Sequence, residues 1–348
     1  MPEKISEGSV SLHVYTGDIS KELPVFYNPD MKLNRDITIE VLKAAGRPLD
    51  VGLPLAGSGV RGVRILKEVP EMTVYMNDNN EKAIELIHKN LELNSCSAEV
   101  FGKEANDFLA ERYYDYIDVD PFGSPNPFLD TACRRIRRKG ILAVTATDTG
   151  CLCGTYPKTC FRKYWAKPLH NELMKEIGLR ILIRKVQLMG MQYDKALIPI
   201  ISYSKDHYFR VFFEVRKGKQ KCDEVIRQYG YLIVDQEGFR SGRDVFNSGD
   251  DYAGPLWLGP LATSFLDQLY GEFLETLKED YANEIPFFHD IPTLCKEAGV
   301  RAIPFTQMVE KIRAKGYLAS RTHFAKQGIR SDIPKKELIE ILAEGPAD

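Results

Sequence analysis

Between residues 48 and 147 the chain switches repeatedly between two hydrophobic periods, and that alternation leaves few folds open. "PLDVGLPLA" reads as a strand, "GSGVRG" as a loop and Val60 to Glu68 as a short helix. "MTVYMND" (72–78) is a second strand, and "NEKAIELIHKNLELN" (80–94) sets Ala83, Ile84, Ile87 and Leu91 on one helical face. "AEVFGKE" (98–104), "YYDYIDVD" and "GILAVTAT" (140–147) follow as third, fourth and fifth strands, with a helix starting near Pro127. Strands separated by helices require crossover connections, hence an α/β domain whose mainly parallel sheet carries helices on both faces.

The sheet closes differently. After a long helix, "NELMKEIGLRILIRKVQLMG", come "ALIPIISYS" and "YFRVFFEV" (208–215), parted only by "KDH". So short a polar link makes a hairpin and gives the sheet an antiparallel edge. "RKGKQK" (216–221) ends the alternation, and a chain of 348 residues has room for two domains. The expected division is 1–216, with an extension at 1–47, and a smaller α+β domain at 217–348.

The first loop, "LAGSGVRG", spaces Gly57, Gly59 and Gly62 as G-x-G-x-x-G between strand and helix. Glycines there let a ligand approach backbone N–H groups at a helix start. Asp78 ends the second strand about 20 residues on, where a carboxylate can take ribose hydroxyls. Glu104 ends the third strand, within reach of an adenine amino group. Each acid alone reads as a solvated strand cap. Three consecutive strand ends with ligand-suited residues read as an adenosine site, for S-adenosylmethionine or for a nicotinamide dinucleotide.

The fourth strand separates those two cofactors, because it runs into Asp120-Pro121-Phe122-Gly123. Hydride transfer has no use for such an end. Methyl transfer to a ring-attached amine does, since that lone pair is delocalised and nucleophilically poor. A carboxylate and a carbonyl accepting its two N–H bonds can pyramidalise it and aim the lone pair at a methyl group. Asp120 supplies the carboxylate. The Asp120-Pro121 region supplies a carbonyl with no competing proline N–H, Phe122 a stacking face, and Gly123 an open approach.

With these residues in view the chain resembles the tRNA guanine-26 N2,N2-dimethyltransferases. The likeness runs through "VFYNPDMKLNRD", "GSGVRGVR", "IDVDPFGSP", "TATDTGCLCGTYP", "SYSKDHYFRVF", "GPLWLGPL" and "SRTHF", in that order over nearly the full length. It implies a Rossmann-like class I methyltransferase sheet and transfer from S-adenosylmethionine to guanine N2, with the base turned out of its stack. It also implies that Arg35 and Arg61 bind the cofactor at its carboxylate end. Asp78 would then hold the ribose, and Glu104 with the backbone of Ala105 would sit beside the adenine. Asp120 would be the catalytic carboxylate, with Phe26 and Phe122 flanking the guanine. Without the resemblance, Phe26 reads as a packing aromatic. Another exocyclic-amine methyltransferase (adenine N6), a dinucleotide-dependent oxidoreductase and a non-catalytic RNA-binding module remain the alternatives.

Net charge is only -2, so distribution, not sum, has to point to a polyanion. "RRIRRKG" (134–140) and the aromatic-laced "KTCFRKYWAK" (158–167) are basic, and residues 301–331 hold seven Lys or Arg against Glu310 alone. Taken singly each is a solvated face; together they are the expected tRNA contacts. Arg313, Lys315, Arg321, Lys326 and Arg330 are the tail residues expected to meet phosphate. Relatives pair cysteines early in the C-terminal domain to bind zinc. Here Cys222 stands alone, and Cys151, Cys153 and Cys160 make an incomplete set, so no metal is expected. Seven scattered cysteines, no run long enough to cross a bilayer and a start, "MPEKISEGSV", without an apolar core lead to the expectation of a cytoplasmic protein with no membrane partner.

Overall fold

The computed structural model describes residues 2–17, 23–235, 237–243 and 251–344. The acid- and glycine-rich stretch "EGFRSGRDVFNSGDDYAGP" (237–255) therefore lies partly outside the described residues. An N-terminal hairpin, β1 (Glu3–Glu7) and β2 (Val10–Val14), precedes α1 (Lys32–Ala45). Then come β3 (Leu49–Leu53), α2 (Val60–Glu68), β4 (Met72–Asn77), α3 (Glu81–Leu93), β5 (Glu99–Phe101) and α4 (Ala105–Ala110). The run ends with β6 (Tyr114–Val119), α5 (Asn126–Arg135) and β7 (Ile136–Ala146). Helices α6 (Thr149–Leu152), α7 (Pro157–Tyr164) and α8 (Met174–Met191) lead to the hairpin β8 (Lys195–Lys205) and β9 (Tyr208–Lys217).

The sheet order is β5-β4-β3-β6-β7-β9-β8. β3 pairs in parallel with both β4 and β6, β4 with β5, and β6 with β7. From β3 the chain moves outward through β4 to β5, then crosses back to β6 and proceeds to β7. Right-handed crossovers place helices on opposite faces when the direction of travel reverses. Accordingly α1, α2 and α3 pack on one another, and α4 packs with α5. The expected α/β class, mostly parallel sheet and antiparallel edge hairpin are all present.

Two compact units are formed by the described parts of Met1–Ala146, Met189–Ile198 and Phe212–Lys221, and of Thr147–Leu188, Pro199–Val211 and Cys222–Asp348. The division does not follow chain order as a single cut near 217 would.

The N-terminal hairpin is fastened by two amides. Asn90 and Asn94, one turn apart on α3, bond the backbone of His13 (Oδ1 to N 2.6 Å, Nδ2 to O 3.0 Å) and Ser11 (Oδ1 to N 3.1 Å, Nδ2 to O 2.7 Å). They act as a surrogate strand along the edge of β2, satisfying groups that would otherwise seek a partner. Helix α9 (Lys219–Ile226) begins in the first unit and ends in the second, which adds a three-stranded sheet of β10 (Tyr229–Asp235), β11 (Gly238–Gly242) and β12 (Asp251–Trp257). Helix α10 (Glu272–Tyr281) follows, then β13 (His289–Asp290), α11 (Ile291–Ala298), α12 (Phe305–Ala314), β14 (Ala319–Arg321), β15 (Gly328–Ser331) and α13 (Lys335–Ala343). Ile291, Leu294, Met308, Ile312, Ile329, Leu338 and Ile341 make that last segment's core.

Candidate active site

Strand order reverses between β3 and β6, so the loops leaving their carboxyl ends diverge and open a crevice, the usual ligand position in such sheets. Gly57 and Gly59 both hold left-handed φ, +55° and +76°. Side chains rarely tolerate that conformation, and a Cβ on Gly59 would lie 3.0 Å from Ile87 Cγ1. The turn thus brings the chain tightly to the N-terminus of α2, with Gly59 buried and its N–H donating to Ala56 O at 2.9 Å. Asp78 braces it: Oδ2 accepts from Gly57 N at 2.8 Å and Oδ1 from Asn80 N at 3.0 Å. One lone pair on each oxygen is left for a ligand.

Asn77 was not foreseen, and it joins neighbouring loops. Its buried Nδ2 donates to Pro54 O and Lys103 O, both at 3.0 Å, and its Oδ1 accepts from Lys103 N at 2.9 Å. Glu104 is exposed and caps α4, accepting from Asn106 N (2.7 Å) and Asp107 N (3.2 Å). The cap leaves the N–H of Ala105, the first residue of α4, out of its grasp; Ala105 itself is buried.

Asp120 follows directly on β6. Arg61, the second residue of α2, donates Nη2 to an Asp120 oxygen in a short contact. Its Nη1 donates to Asn34 Oδ1 (3.0 Å) and Thr38 Oγ1 (2.7 Å) and lies 3.4 Å from Asp118 Oδ2. Asp118 is buried and accepts from Tyr116 Oη at 2.6 Å. Arg61 therefore sits on the acids of the fourth strand, not apart from them as a cofactor-only ligand would. A pattern of acid, one residue, acid at a strand end could have signalled Asp118, since "DVD" is in the sequence.

Phe26 and Phe122, which the resemblance sets on either side of the guanine, touch each other here, with ring centroids 4.1 Å apart and planes at 65°. Phe122 is 48% exposed. A base between two rings needs roughly 7 Å, two contacts of about 3.5 Å, so it stacks between them only once they part. Gly123 (φ +81°) has open space where a Cβ would be. The segment carrying Phe26 is held at three points: Asn80 Nδ2 to Pro24 O (2.8 Å), Tyr27 Oη to Glu7 Oε2 (3.0 Å) and Arg35 Nη2 to Asn28 O (3.1 Å).

Arg35 is buried and forked onto Glu7, Nε to Oε1 at 2.7 Å and Nη2 to Oε2 at 2.5 Å. Arg64 Nη1 adds a third cationic contact to Glu7 at 3.0 Å. Burial raises the Glu7 pKa, yet the hydrogen bonds and charges of Arg35 and Arg64 outweigh it and hold the carboxyl below its usual range. Burial, then the Glu7 charge, pushes Tyr27 up to about 12. Glu7 lies outside every motif read above, and Arg35 is committed to it.

The basic segments fare unequally. β7 runs parallel to β6, so residues 134–140 lie at the end of the sheet opposite Asp120, and Arg137 is paired with Asp50 and Asp115 (both 2.7 Å). On α7, Lys158, Arg162 and Lys163 are exposed. In the tail Arg301, Arg313, Lys315, Arg321 and Lys326 are exposed. Arg330 is not a phosphate contact. It is 1% exposed and clamped by Asp280 Oδ1 (2.6 Å) and Glu176 Oε2 (3.1 Å). Burial of so many polar partners is what drew it inward.

Cys151, Cys153 and Cys160 are buried, and burial raises the first two thiols to about 12 and about 11 and the third further. Among the described residues no group of three or more His, Cys, Asp or Glu could hold a metal ion, and no helix is long and apolar enough to cross a membrane.

The profile of the family described as N2,N2-dimethylguanosine tRNA methyltransferase matches residues 4–343. The tRNA (guanine(26)-N(2))-dimethyltransferase of Thermococcus kodakarensis is 36% identical over 97% of this chain and 98% of its own. The tRNA (guanine(26)-N(2)/guanine(27)-N(2))-dimethyltransferase of Aquifex aeolicus is 37% identical over 94% of this chain and 91% of its own. Among solved structures, the complex of Trm1 from Pyrococcus horikoshii with S-adenosyl-L-methionine superposes with a TM-score of 0.90 at 33% identity, covering 98% of this chain and 100% of that one. A crevice at the strand-order reversal, an acid after β6 and a match over nearly the whole length lead to one assignment: this chain belongs to the N2,N2-dimethylguanosine tRNA methyltransferase family.

Proposed function

We propose that the protein transfers methyl groups from S-adenosylmethionine to the exocyclic N2 of guanine 26 in tRNA, giving N2-methylguanosine and then N2,N2-dimethylguanosine. The observation that carries this reading is Asp120, set just past the end of β6, bonded by Arg61 and followed two residues on by the exposed ring of Phe122. Family membership favours a transferase over an oxidoreductase that shares the glycine spacing.

The residues present suit the cofactor. Left-handed Gly57 and Gly59 make the tight turn into α2, Asp78 keeps acceptor capacity for two hydroxyls, and the N–H of Ala105 is outside the Glu104 cap. Arg61, and Arg35 so far as Glu7 releases it, would meet the carboxylate end. Bound there, the cofactor supplies a methyl group on a positively charged sulfur. The protein does the rest by positioning. Asp120 accepts one N–H of the amine, the Asp120-Pro121 carbonyl the other, and the nitrogen lone pair is turned out of the ring's conjugation. Arg61 fixes the Asp120 carboxylate, while Phe122 and Phe26 hold the base plane.

The exposed cations of α7 and of residues 301–331, other than Arg330, would hold the tRNA, with 134–140 as a more distant contact. On this reading methyl transfer belongs to 1–216, and 217–348 is a tRNA-binding domain that adds to the grip of α7. The protein works in the cytoplasm, and it holds no structural zinc, because between Cys160 and Cys295 the sequence offers Cys222 as its single cysteine. The test is mass spectrometry of nucleosides from an unmodified tRNA transcript incubated with protein and S-adenosylmethionine. N2-methylguanosine should form first and dimethylguanosine after it; methyladenosine, or no methylated nucleoside, would overturn the reading.

A further inference from the structure

The second unit turns an unusual surface outward at α7. The helix buries only Cys160 and Tyr164. Lys158, Phe161, Arg162 and Trp165 follow one another at the three- and four-residue steps that share a helix face, and none is buried. Phe161 is 67% exposed, Tyr156 63% and Trp165 49%. A surface hollow of about 380 Å³ lies among Pro157, Lys158, Phe161, Arg162 and Lys167. Large rings are normally withdrawn from water, so three within ten residues need a reason.

Trp165 is held in place. Its φ of +57° is a left-handed conformation that bulky residues rarely adopt. Lys185 Nζ stands 3.1 Å from its ring centroid, and Arg184 Nη1 donates to its carbonyl at 3.4 Å. Charge is one-sided. The sequence from 149 to 171 contains Lys158, Arg162, Lys163 and Lys167 and no acid. Lys167 pairs with Asp251 at 3.0 Å, and its ammonium also lies 4.0 Å from the Tyr252 ring centroid.

Rings interleaved with cations and free of acids match one chemistry closely: a polyanion whose monomers have flat faces. We propose that this face of α7 binds an unpaired nucleotide of the RNA substrate, distinct from the acceptor guanine, stacking its base on Phe161 or Tyr156 and taking its flanking phosphates on Lys158 and Arg162. The proposal rests on the tRNA reading above and deepens it. Stacking tolerates any base, so this contact grips an opened strand without reading its sequence.

The test compares the parent with Phe161→Ala, Tyr156→Ala and Lys158→Ala/Arg162→Ala. These are surface changes, and thermal unfolding checks that each variant folds as the parent does. Labelled tRNA is titrated at three salt concentrations, a short oligouridylate is titrated in parallel, and S-adenosylmethionine affinity is measured by calorimetry. At least one aromatic variant should lose roughly tenfold or more in affinity for both RNAs at unchanged salt slope. The double variant should lose affinity and about 1.4 to 1.8 units of slope, two contacts' worth. Cofactor affinity should not move. If the parent binds and methylates tRNA while all three variants bind both RNAs as it does, this inference fails and the functional reading stands. If the parent neither binds nor methylates tRNA, the functional reading fails, and this inference with it. Ring-dependent binding to anionic lipid vesicles, with tRNA affinity unaltered, would overturn the inference in favour of a membrane surface.

Discussion

Replacing Asp120 with alanine separates its role in transfer from its role in folding, and the structure sizes both effects. The Asp120 side chain is 20% exposed and that of Arg61 11%. Without Asp120, Arg61 still donates to Asn34 at 3.0 Å and Thr38 at 2.7 Å and stands 3.4 Å from Asp118. The guanidinium is therefore not orphaned. The stability loss should be about 1 kcal/mol, well short of the 3–5 kcal/mol expected for an abandoned buried charge. For a chain of 348 residues that corresponds to roughly 1–2 °C in Tm. The catalytic loss is larger, because the carboxylate acts where charge develops on the amine; removing such a group costs roughly 10²- to 10³-fold in rate. Single-turnover methylation of a tRNA transcript, with calorimetry of S-adenosylmethionine and thermal unfolding on the same preparation, reads all three quantities. The companion variant Asp118→Asn should slow transfer less than about tenfold, since Asp118 reaches the Asp120 carboxylate through Arg61. A normal single-turnover rate in Asp120→Ala, or a larger loss in Asp118→Asn, would refute the assignment.

Three further outcomes follow from other contacts. Asp78→Ala should weaken S-adenosylmethionine binding at least about tenfold with a smaller change in saturated turnover, since each charge-assisted hydrogen bond contributes about 1.5–3 kcal/mol; unchanged calorimetric affinity would remove Asp78 from the cofactor site. Burial, with the Lys335 charge, outweighs the Ile333 carbonyl and lowers His289 from 6.5 to about 4. Its contribution is full above pH 6.5 and is lost as pH falls toward 4, so the unfolding free energy should decline by about 2–3 kcal/mol over that window. His289→Gln should flatten the decline in urea titrations, and an equal slope in both proteins would contradict it. Arg330→Leu should cost about 3–5 kcal/mol in urea unfolding, because Glu176 and Asp280 stay buried without their shared partner; a loss under about 1 kcal/mol would mean that Arg180 and His323 suffice.

The sheet was readable because its evidence is local. Each strand from Leu49 to Ala146 carries its own run of branched residues, and each helix between them its own period. Gly57, Gly59, Asp78 and Asp120 also declared themselves, since backbone freedom and acids at strand ends are sequence properties. What escaped depended on partners far along the chain. The hairpin of β1 and β2 is short, and its edge is satisfied by Asn90 and Asn94, about 80 residues later. Glu7 gains meaning only from Arg35 and Arg64. Arg330 looked like one more cation in a basic run, yet the acids that bury it are Glu176 and Asp280. Arg61 was placed at the cofactor by resemblance, whereas its bonds to Asp118 and Asp120 come from the reversal of strand order, which brings α2 and the end of β6 together. The grouping of Thr147–Leu188 with the C-terminal part rests on non-local packing too, which no boundary composition records.

The most direct measurement removes one amine. A tRNA transcript carrying inosine in place of guanosine 26 keeps the ring, the ribose and the pairing edge's carbonyl but lacks N2. Incubated with the protein and methyl-labelled S-adenosylmethionine, it should bind with near-parental affinity and take up no label at that position, while the guanosine transcript is dimethylated. Equal labelling of the two transcripts at position 26 would contradict transfer to the exocyclic amine, and with it the role given to Asp120.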